Sequence, residues 1–368
     1  MLSRPVAELP EGCEERCPAC KHRGLSADES ESQKLAWLRR ALAPWAETIA
    51  PVRGAAAGAR LGYRRKVCLH AEFRDGAWAF GLRRALEGRR ESEVIGIPRC
   101  PVHAPEVRAR LAELEQLPAD LPLKFVLISG DFVTLVLKTA TLPAMPWLDD
   151  VWSRLPGVAG LFANLNPAAG FRVVAHKGWH LLKGQSEFEE NGLFYGPESF
   201  MQLIPPLHHA SMSEAVAHIA PQEGEMVLDL YSGLGASLKL WKSRGVPALG
   251  VELGGEMVRL LEKNVGPDAC LRGRVSDRLP QLKDWVAAQG KVPLVYANPP
   301  RTGLEPEVAA WLARELRPAR VAYLSCSAGT LARDLAVFAD AGYATVRITP
   351  YDFFPNTHHV ETLALLAR

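Results

Sequence analysis

The sequence has no apolar run long enough to span a bilayer, and Met1 to Pro10 shows neither the basic segment nor the apolar core of a secretory leader. A cytoplasmic location is the expectation, with no membrane partner and no obligate protein partner. There is no strong charge of either sign: a net charge of +2, with 48% hydrophobic and 23% charged residues, describes an ordinary globular protein. Internal repeats and low-complexity segments are absent as well. The seven cysteines, at 13, 17, 20, 68, 100, 270 and 326, form an odd set without an export signal, which argues against a disulfide framework.

What is present falls into two halves, since 368 residues suffice for two cores. Residues 1–190 read as an α+β domain rich in antiparallel strands. Cys13, Cys17 and Cys20 crowd its start, suggesting a metal or iron–sulfur centre. Leu35, Leu38, Leu42 and Trp45 then predict an amphipathic helix over 32–49, kinked at Pro44, that packs the cysteine loop against the next layer. Hairpins are expected around Arg74-Asp75-Gly76 and Gly130-Asp131, with further strands at 160–164 and 179–182. Between Arg53 and Arg99 stand eleven Lys or Arg against five Asp or Glu. That local excess suits a phosphate-binding face, with Arg64, Arg65 and Lys66 as candidates, or else a solvated basic surface.

Residues 191–368 alternate apolar strands with helical segments, at 226–231, 248–252, 293–297, 321–325, 344–348 and 360–367. This pattern predicts a largely parallel, doubly wound α/β sheet. Asp229-Leu230-Tyr231-Ser232-Gly233-Leu234-Gly235 ends one strand and opens a helix, and Glu252 ends the next strand, placed to accept from a ribose diol. Nucleotide, dinucleotide and adenosylmethionine sites share this logic. A dinucleotide site would have a third glycine, and a triphosphate site a Gly-Lys-Ser/Thr turn; neither is here. Two later strands stop at Asn298-Pro299-Pro300-Arg301-Thr302-Gly303 and at Ser325-Cys326-Ser327-Ala328-Gly329-Thr330, so an amide on a rigid turn and a thiol before a helix would face one crevice. A helix N-terminus there could lower the thiol pKa.

The ordered set Asp229-x-Tyr231-x-Gly233-x-Gly235, Asn298-Pro-Pro-Arg301-x-Gly303, Tyr323-Leu-Ser-Cys326, Thr330-Leu-Ala-Arg-Asp334 and Phe354-Pro-x-Thr-x-His359-Val-Glu361 resembles the S-adenosylmethionine-dependent RNA uracil-5 methyltransferases. Ser199-Phe-Met-Gln202, Asn164-Leu-Asn166-Pro, Tyr63-Arg64 and Cys100-Pro-Val extend the likeness over nearly the whole chain. The layout looks most like the 23S ribosomal RNA branch that carries an iron–sulfur cluster, without the N-terminal β-barrel. The resemblance implies a class I (Rossmann-like) catalytic domain and RNA as partner, ribosomal RNA first and transfer RNA second. It implies Cys326 as nucleophile and Glu361 as base, with Asn298, Arg301 and His359 at the substrate base. Gln202, Asp229, Tyr231, Gly233, Glu252 and Asn298 would lie at the cofactor. Cys13, Cys17, Cys20 and Cys100 would hold a [4Fe–4S] cluster, zinc with four cysteines or three plus His22 being the alternative.

The chemistry asks for these groups. Carbon 5 of uracil is a poor nucleophile until a thiolate adds to carbon 6; a base must then remove the carbon 5 proton. Asn298 departs from the family, which usually has Asp there, and an amide can pair with uracil or, rotated, with cytosine. Other departures are Leu203-Ile204-Pro205 after Gln202, Ala236, the short connection 265–269, and Arg274. They leave open an RNA-binding or folding module that has lost catalysis, and cytosine-5 or amino methylation.

Overall fold

The computed structural model describes residues 9–86 and 92–368. Glu87, Arg89, Arg90 and Glu91, part of the basic stretch, lie outside the described residues. Contacts divide the chain into two units: the chain up to Leu25 with Ala56–Glu190 and Tyr195–Leu203, and Ser26–Ala55 with Asn191–Phe194 and Ile204–Arg368. No helix among the described residues is long and apolar enough to cross a membrane.

The first unit is built on β1 (Lys66–Arg74), β2 (Ala77–Ala85), β3 (Ser92–Gly96), β4 (Leu123–Ser129), β5 (Phe132–Leu137), β6 (Gly160–Leu165) and β7 (Trp179–Gly184). They form one sheet in the order β3-β2-β1-β4-β5-β6-β7, antiparallel except for the β5–β6 pair. Asp75 and Gly76 both have positive φ, which gives the β1–β2 turn the twist a two-residue hairpin needs. Alternation sends Val67, Leu69 and Ala71 to the face covered by Val107, Leu111 and Leu114 of the helix Pro105–Leu114. β8 (Phe188–Glu190) and β9 (Leu193–Tyr195) form a separate hairpin where the sequence changes pattern.

The second unit is built on β10 (Val227–Leu230), β11 (Ala248–Glu252), β12 (Cys270–Arg272), β13 (Leu294–Ala297), β14 (Arg320–Ser325), β15 (Ala344–Tyr351) and β16 (Glu361–Ala367). The order β12-β11-β10-β13-β14-β16-β15 reverses direction between β10 and β13, the switch point at which doubly wound sheets open a crevice. β10 to β14 are parallel, but β16 runs antiparallel to both β14 and β15. The sheet is therefore less parallel than the alternation suggests.

The N-terminal helix groups with the second unit, whereas the sequence order puts it in residues 1–190. It runs Ala27–Ala41, starts on a Ser26–Glu29 capping box, and gives way at Pro44 to a short 3-10 turn, Ala43–Thr48. Leu38, Leu42 and Ile49 are buried in the core of the second unit, beside Val295, Val321, Phe338 and Ile348. Each contributes about 1.5–3 kcal/mol by leaving water. Ala50 and Arg53 donate backbone bonds to Ile348 and Pro350, both 2.8 Å, so this segment pairs the outer edge of β15. Helical spacing shows that a helix has an apolar face but not which core receives it.

Candidate active site

Cys326 sits just past β14, and Ser327, not Cys326, caps the helix Ala328–Asp340 by accepting from Thr330 N. Ser325 Oγ donates to Ser327 O at 3.1 Å and accepts from Ser327 N at 3.2 Å, which fixes the turn carrying the thiol. Because β16 is antiparallel, its first residues lie at the carboxyl ends of the parallel strands: Thr362 pairs with Ser325, and Glu361 precedes it. Burial pushes the Cys326 thiol above its ordinary value and the Glu361 carboxylate pushes it further, against the guanidinium of Arg301, which pulls it down. The net direction is up, contrary to a thiol activated by a helix end, since the thiol stands one residue outside the cap and partly out of water. Glu361 is 5% exposed. His359 is exposed beside His358, ring centroids 4.1 Å apart.

The Pro299-Pro300 turn is held from below. Asp334, on the helix that follows Cys326, accepts from Leu304 N at 3.0 Å and Tyr323 OH at 2.7 Å. Its neighbour Arg333 donates to Thr302 O and Leu304 O, at 3.0 and 2.9 Å. Gly303 has φ +74°, and a Cβ there would stand 2.6 Å from Asp334 Oδ2, so only glycine lets the turn lie this close. Thr330 Oγ1 donates to Arg301 O at 3.3 Å, tying the Arg301 turn to the Cys326 turn. Asn298 is half-buried just beyond β13, its N–H donating to Leu230 O at 3.2 Å. Asp334 and Arg333 lie inside a recognised motif, but the sequence offers no sign that they brace the turn.

At the switch point, Glu252 accepts from Gly233 N at 3.0 Å and Gly254 N at 2.9 Å. It holds the glycine turn, and each carboxylate oxygen keeps a second lone pair for a hydroxyl. Gly235 has φ +81°, and a Cβ there would meet Val265 and Leu261 at 2.8 and 2.9 Å. Tyr231, at φ +62°, donates its hydroxyl to Glu305 and so links the glycine turn to the Pro-Pro turn. Asp229 is fully buried; loss of solvation raises its pKa to about 7, against the opposing pull of Ser237, Ser232 and Trp241. The second unit thus carries Asp229, Tyr231, Gly233, Glu252, Asn298, Arg301, Cys326, His359 and Glu361. Gln202 is half-buried in the first unit.

In that first unit, Arg23 donates to Cys17 O at 2.8 Å and Glu15 O at 2.6 Å, closing the cysteine loop. Cys13, Cys17, Cys20 and Cys100 lie close enough to act on one another's charge, and Cys20 is pushed up to about 11, by burial first and then by Cys100 and Cys17. The donor set suits a thiophilic metal or cluster, although no group of three or more His, Cys, Asp or Glu among the described residues stands at metal-holding spacing. The basic candidates turn inward. Arg65 pairs with Glu106 at 3.1 Å, Glu190 at 2.9 Å and Asp131 at 3.3 Å; Lys66 Nζ donates to Ser199 O at 2.7 Å. Arg64 lies over the Tyr63 ring, with its charge acting on Cys20 and His103. Arg65 is thus engaged by three carboxylates and Lys66 by the buried Ser199 carbonyl.

Known proteins match this arrangement. The family model described as tRNA (Uracil-5-)-methyltransferase matches residues 269–368, the stretch carrying Asn298, Cys326 and Glu361. An uncharacterised RNA methyltransferase of Caldanaerobacter subterraneus subsp. tengcongensis is 30% identical over 225 residues, which cover 58% of this chain and 48% of that one. The chain thus spans about half the length of that relative. A 23S rRNA (uracil(1939)-C(5))-methyltransferase, RlmD, of Shewanella sp. (strain W3-18-1) is 28% identical, the match covering 99% of this chain and 84% of that one. In fold, the chain is similar to the tRNA (uracil-54, C5)-methyltransferase of Pyrococcus abyssi, solved with S-adenosyl-L-homocysteine, at a TM-score of 0.70 and 23% identity over 95% of this chain and 85% of that one. The family model thus falls on the turns that carry the thiol, the amide and the carboxylate, and over that stretch the chain is similar to the tRNA (uracil-5-)-methyltransferases.

Proposed function

We propose that the chain transfers a methyl group from S-adenosylmethionine to carbon 5 of a uridine in RNA, 23S ribosomal RNA being the favoured substrate. The observation that carries this reading is the pairing of Ser325 with Thr362, which brings the Glu361 carboxylate within electrostatic reach of the Cys326 thiol. Family relatives named for ribosomal RNA favour that substrate over transfer RNA.

The Cys326 thiolate adds to carbon 6, forming a sulfur–carbon bond and moving the carbon 5–carbon 6 pair into the carbonyl at carbon 4 as an enolate. Arg301, which lowers the thiol pKa, favours the reactive thiolate. Carbon 5 then attacks the methyl carbon; the methyl–sulfonium bond breaks and its pair returns to sulfur, leaving S-adenosylhomocysteine. Glu361 takes the carbon 5 proton, the double bond re-forms and the thiolate departs. Asn298 orients the base by accepting from N3–H and donating to O4. Glu252 and the glycine turn hold the donor's ribose, with Asp229 beneath them and Tyr231 tying them to the Asn298 turn. A base in structured RNA must be unstacked to reach the thiol.

The same reading gives Cys13, Cys17, Cys20 and Cys100 a [4Fe–4S] cluster, supported by four thiols that act on one another's charge. Its role is structural or RNA-positioning, since methyl transfer needs no electron carrier. Iron and sulfide analysis of protein purified without oxygen tests this; zinc alone would overturn it. For the reaction, the protein is incubated with labelled S-adenosylmethionine and bulk RNA, and the RNA is digested to nucleosides. Label in 5-methyluridine is expected. Label in 5-methylcytidine or N6-methyladenosine would assign another base, and RNA binding without transfer would make the chain a binding module.

A further inference from the structure

We infer that the loop 166–178 of the first unit is a single-stranded RNA platform on which Phe171 stacks an unpaired base beside Arg172. Phe171 is 90% exposed, the most exposed large apolar side chain among the described residues. Scattered exposed apolar residues are ordinary, so exposure alone says little. What distinguishes this one is the construction beneath it.

The loop is fastened at both sides by buried amides. Asn166 Nδ2 donates to Arg172 O and Val173 O, at 2.9 and 3.0 Å, and its Oδ1 accepts from Ala168 N. Asn164 exchanges two bonds with Ala175, 3.0 Å to its carbonyl and 2.8 Å from its N–H. Within the tip, Phe171 N and Arg172 N both donate to Ala168 O. Ala169 and Val174 then seat the loop on Phe125, Val136 and Leu127, the sheet face opposite the helix Pro105–Leu114. Two side chains, Asn164 and Asn166, are thus used to hold an aromatic ring out in water. A ring on so fixed a backbone loses little further entropy on binding a flat partner.

The surrounding charge selects the partner. Arg172, His176 and Lys177 are exposed on the same loop, and Lys124 lies 3.9 Å from where a Cβ on Gly170 would stand. Lys124 and Arg83 together act on His70, whose ring lies tilted by 46° against Phe125, centroids 4.6 Å apart, beneath the loop. No acidic side chain among the described residues pairs with Arg83, Lys124, Arg172 or Lys177, in contrast to Arg65 with its three carboxylates. An exposed ring among unneutralised cations is the combination that takes an unpaired base and its phosphates. A duplex, whose bases are already stacked, would gain only the phosphate contacts. This inference takes RNA as the partner from the reading above but not the methyl transfer.

The test uses the full-length protein, a fluorescently labelled mixed-sequence RNA oligonucleotide and its duplex with the complementary strand, read by anisotropy. Phe171→Ala should weaken single-strand binding roughly 5- to 100-fold and leave duplex binding nearly unchanged, because stacking acts only on unpaired bases. Phe171→Trp should restore it. Arg172→Gln should lower the slope of log affinity against log salt by about one phosphate contact. Val346→Ala, an exposed valine on β15 of the other unit, should change nothing. Unchanged single-strand binding by Phe171→Ala, equal loss for strand and duplex, or no rescue by Trp would each overturn the inference. Phe171-dependent binding in a protein that fails to methylate RNA would uphold the platform while removing the proposed reaction.

Discussion

Lys34 and Asp352 form an ion pair at 2.6 Å with both side chains 0% exposed, and Lys34 Nζ also reaches Phe354 O at 3.4 Å. The pair ties the N-terminal helix to the segment that leads into Glu361. Lys34→Met would leave the Asp352 carboxylate in that interior without its cation, a loss of about 3–5 kcal/mol. That lowers the folding equilibrium of the second unit by roughly two to three and a half powers of ten. In urea, with a slope of about 3 kcal/mol per molar, the unfolding midpoint should fall by about 1 M or more. Lys34→Met/Asp352→Leu removes both charges and fills the space with apolar groups, so it should recover most of the loss. Unfolding followed by tryptophan fluorescence measures both. A single variant within about 1 kcal/mol of the parent would refute the idea that a stranded charge is what Lys34 prevents. A double variant as unstable as the single would assign the loss to the stem of Lys34 and its bond to Phe354.

Three further outcomes follow from the site. Cys326→Ala should give neither methyl transfer nor an RNA adduct that survives denaturing electrophoresis, whereas Glu361→Gln should accumulate that adduct; an adduct formed by Cys326→Ala would eliminate the thiol as nucleophile. Arg301→Met removes the charge that lowers the Cys326 pKa, so transfer at neutral pH should slow and the rise of rate with pH should move to more alkaline values. An unchanged pH profile would mean that Arg301 does not tune the thiol. Asp229 rises from 3.8 when exposed to about 7 in the fold, so between those values the native protein holds a proton that the unfolded chain has lost. Stability should therefore fall as pH rises through that window, by up to about 4 kcal/mol, and Asp229→Asn should flatten the fall; parallel curves for the two proteins would exclude this burial cost.

Strand positions in the second unit follow from apolar runs that end in Gly, Asn-Pro-Pro or Ser-Cys, because such residues stop a strand wherever it lies. Partners distant in sequence leave no local mark. Arg65 looks like an exposed cation until Glu190, 125 residues on, is found against it. Asp334 is legible as part of a motif, yet its work on Leu304 and Tyr323 depends on a helix docking beneath a turn 30 residues earlier.

By itself the sequence determined the alternation of strands and helices and the glycine turn before Glu252, and through its resemblance to a family pattern it singled out Cys326, Asn298 and Glu361 as candidates. Tertiary structure decided the direction of β16. Run parallel to β14, that strand would begin at the far edge of the sheet and put Glu361 a strand's length from the thiol; run antiparallel, it begins beside Ser325. Strand direction is set by which neighbours complete the ladder and bury both faces, and a period of two reads the same either way.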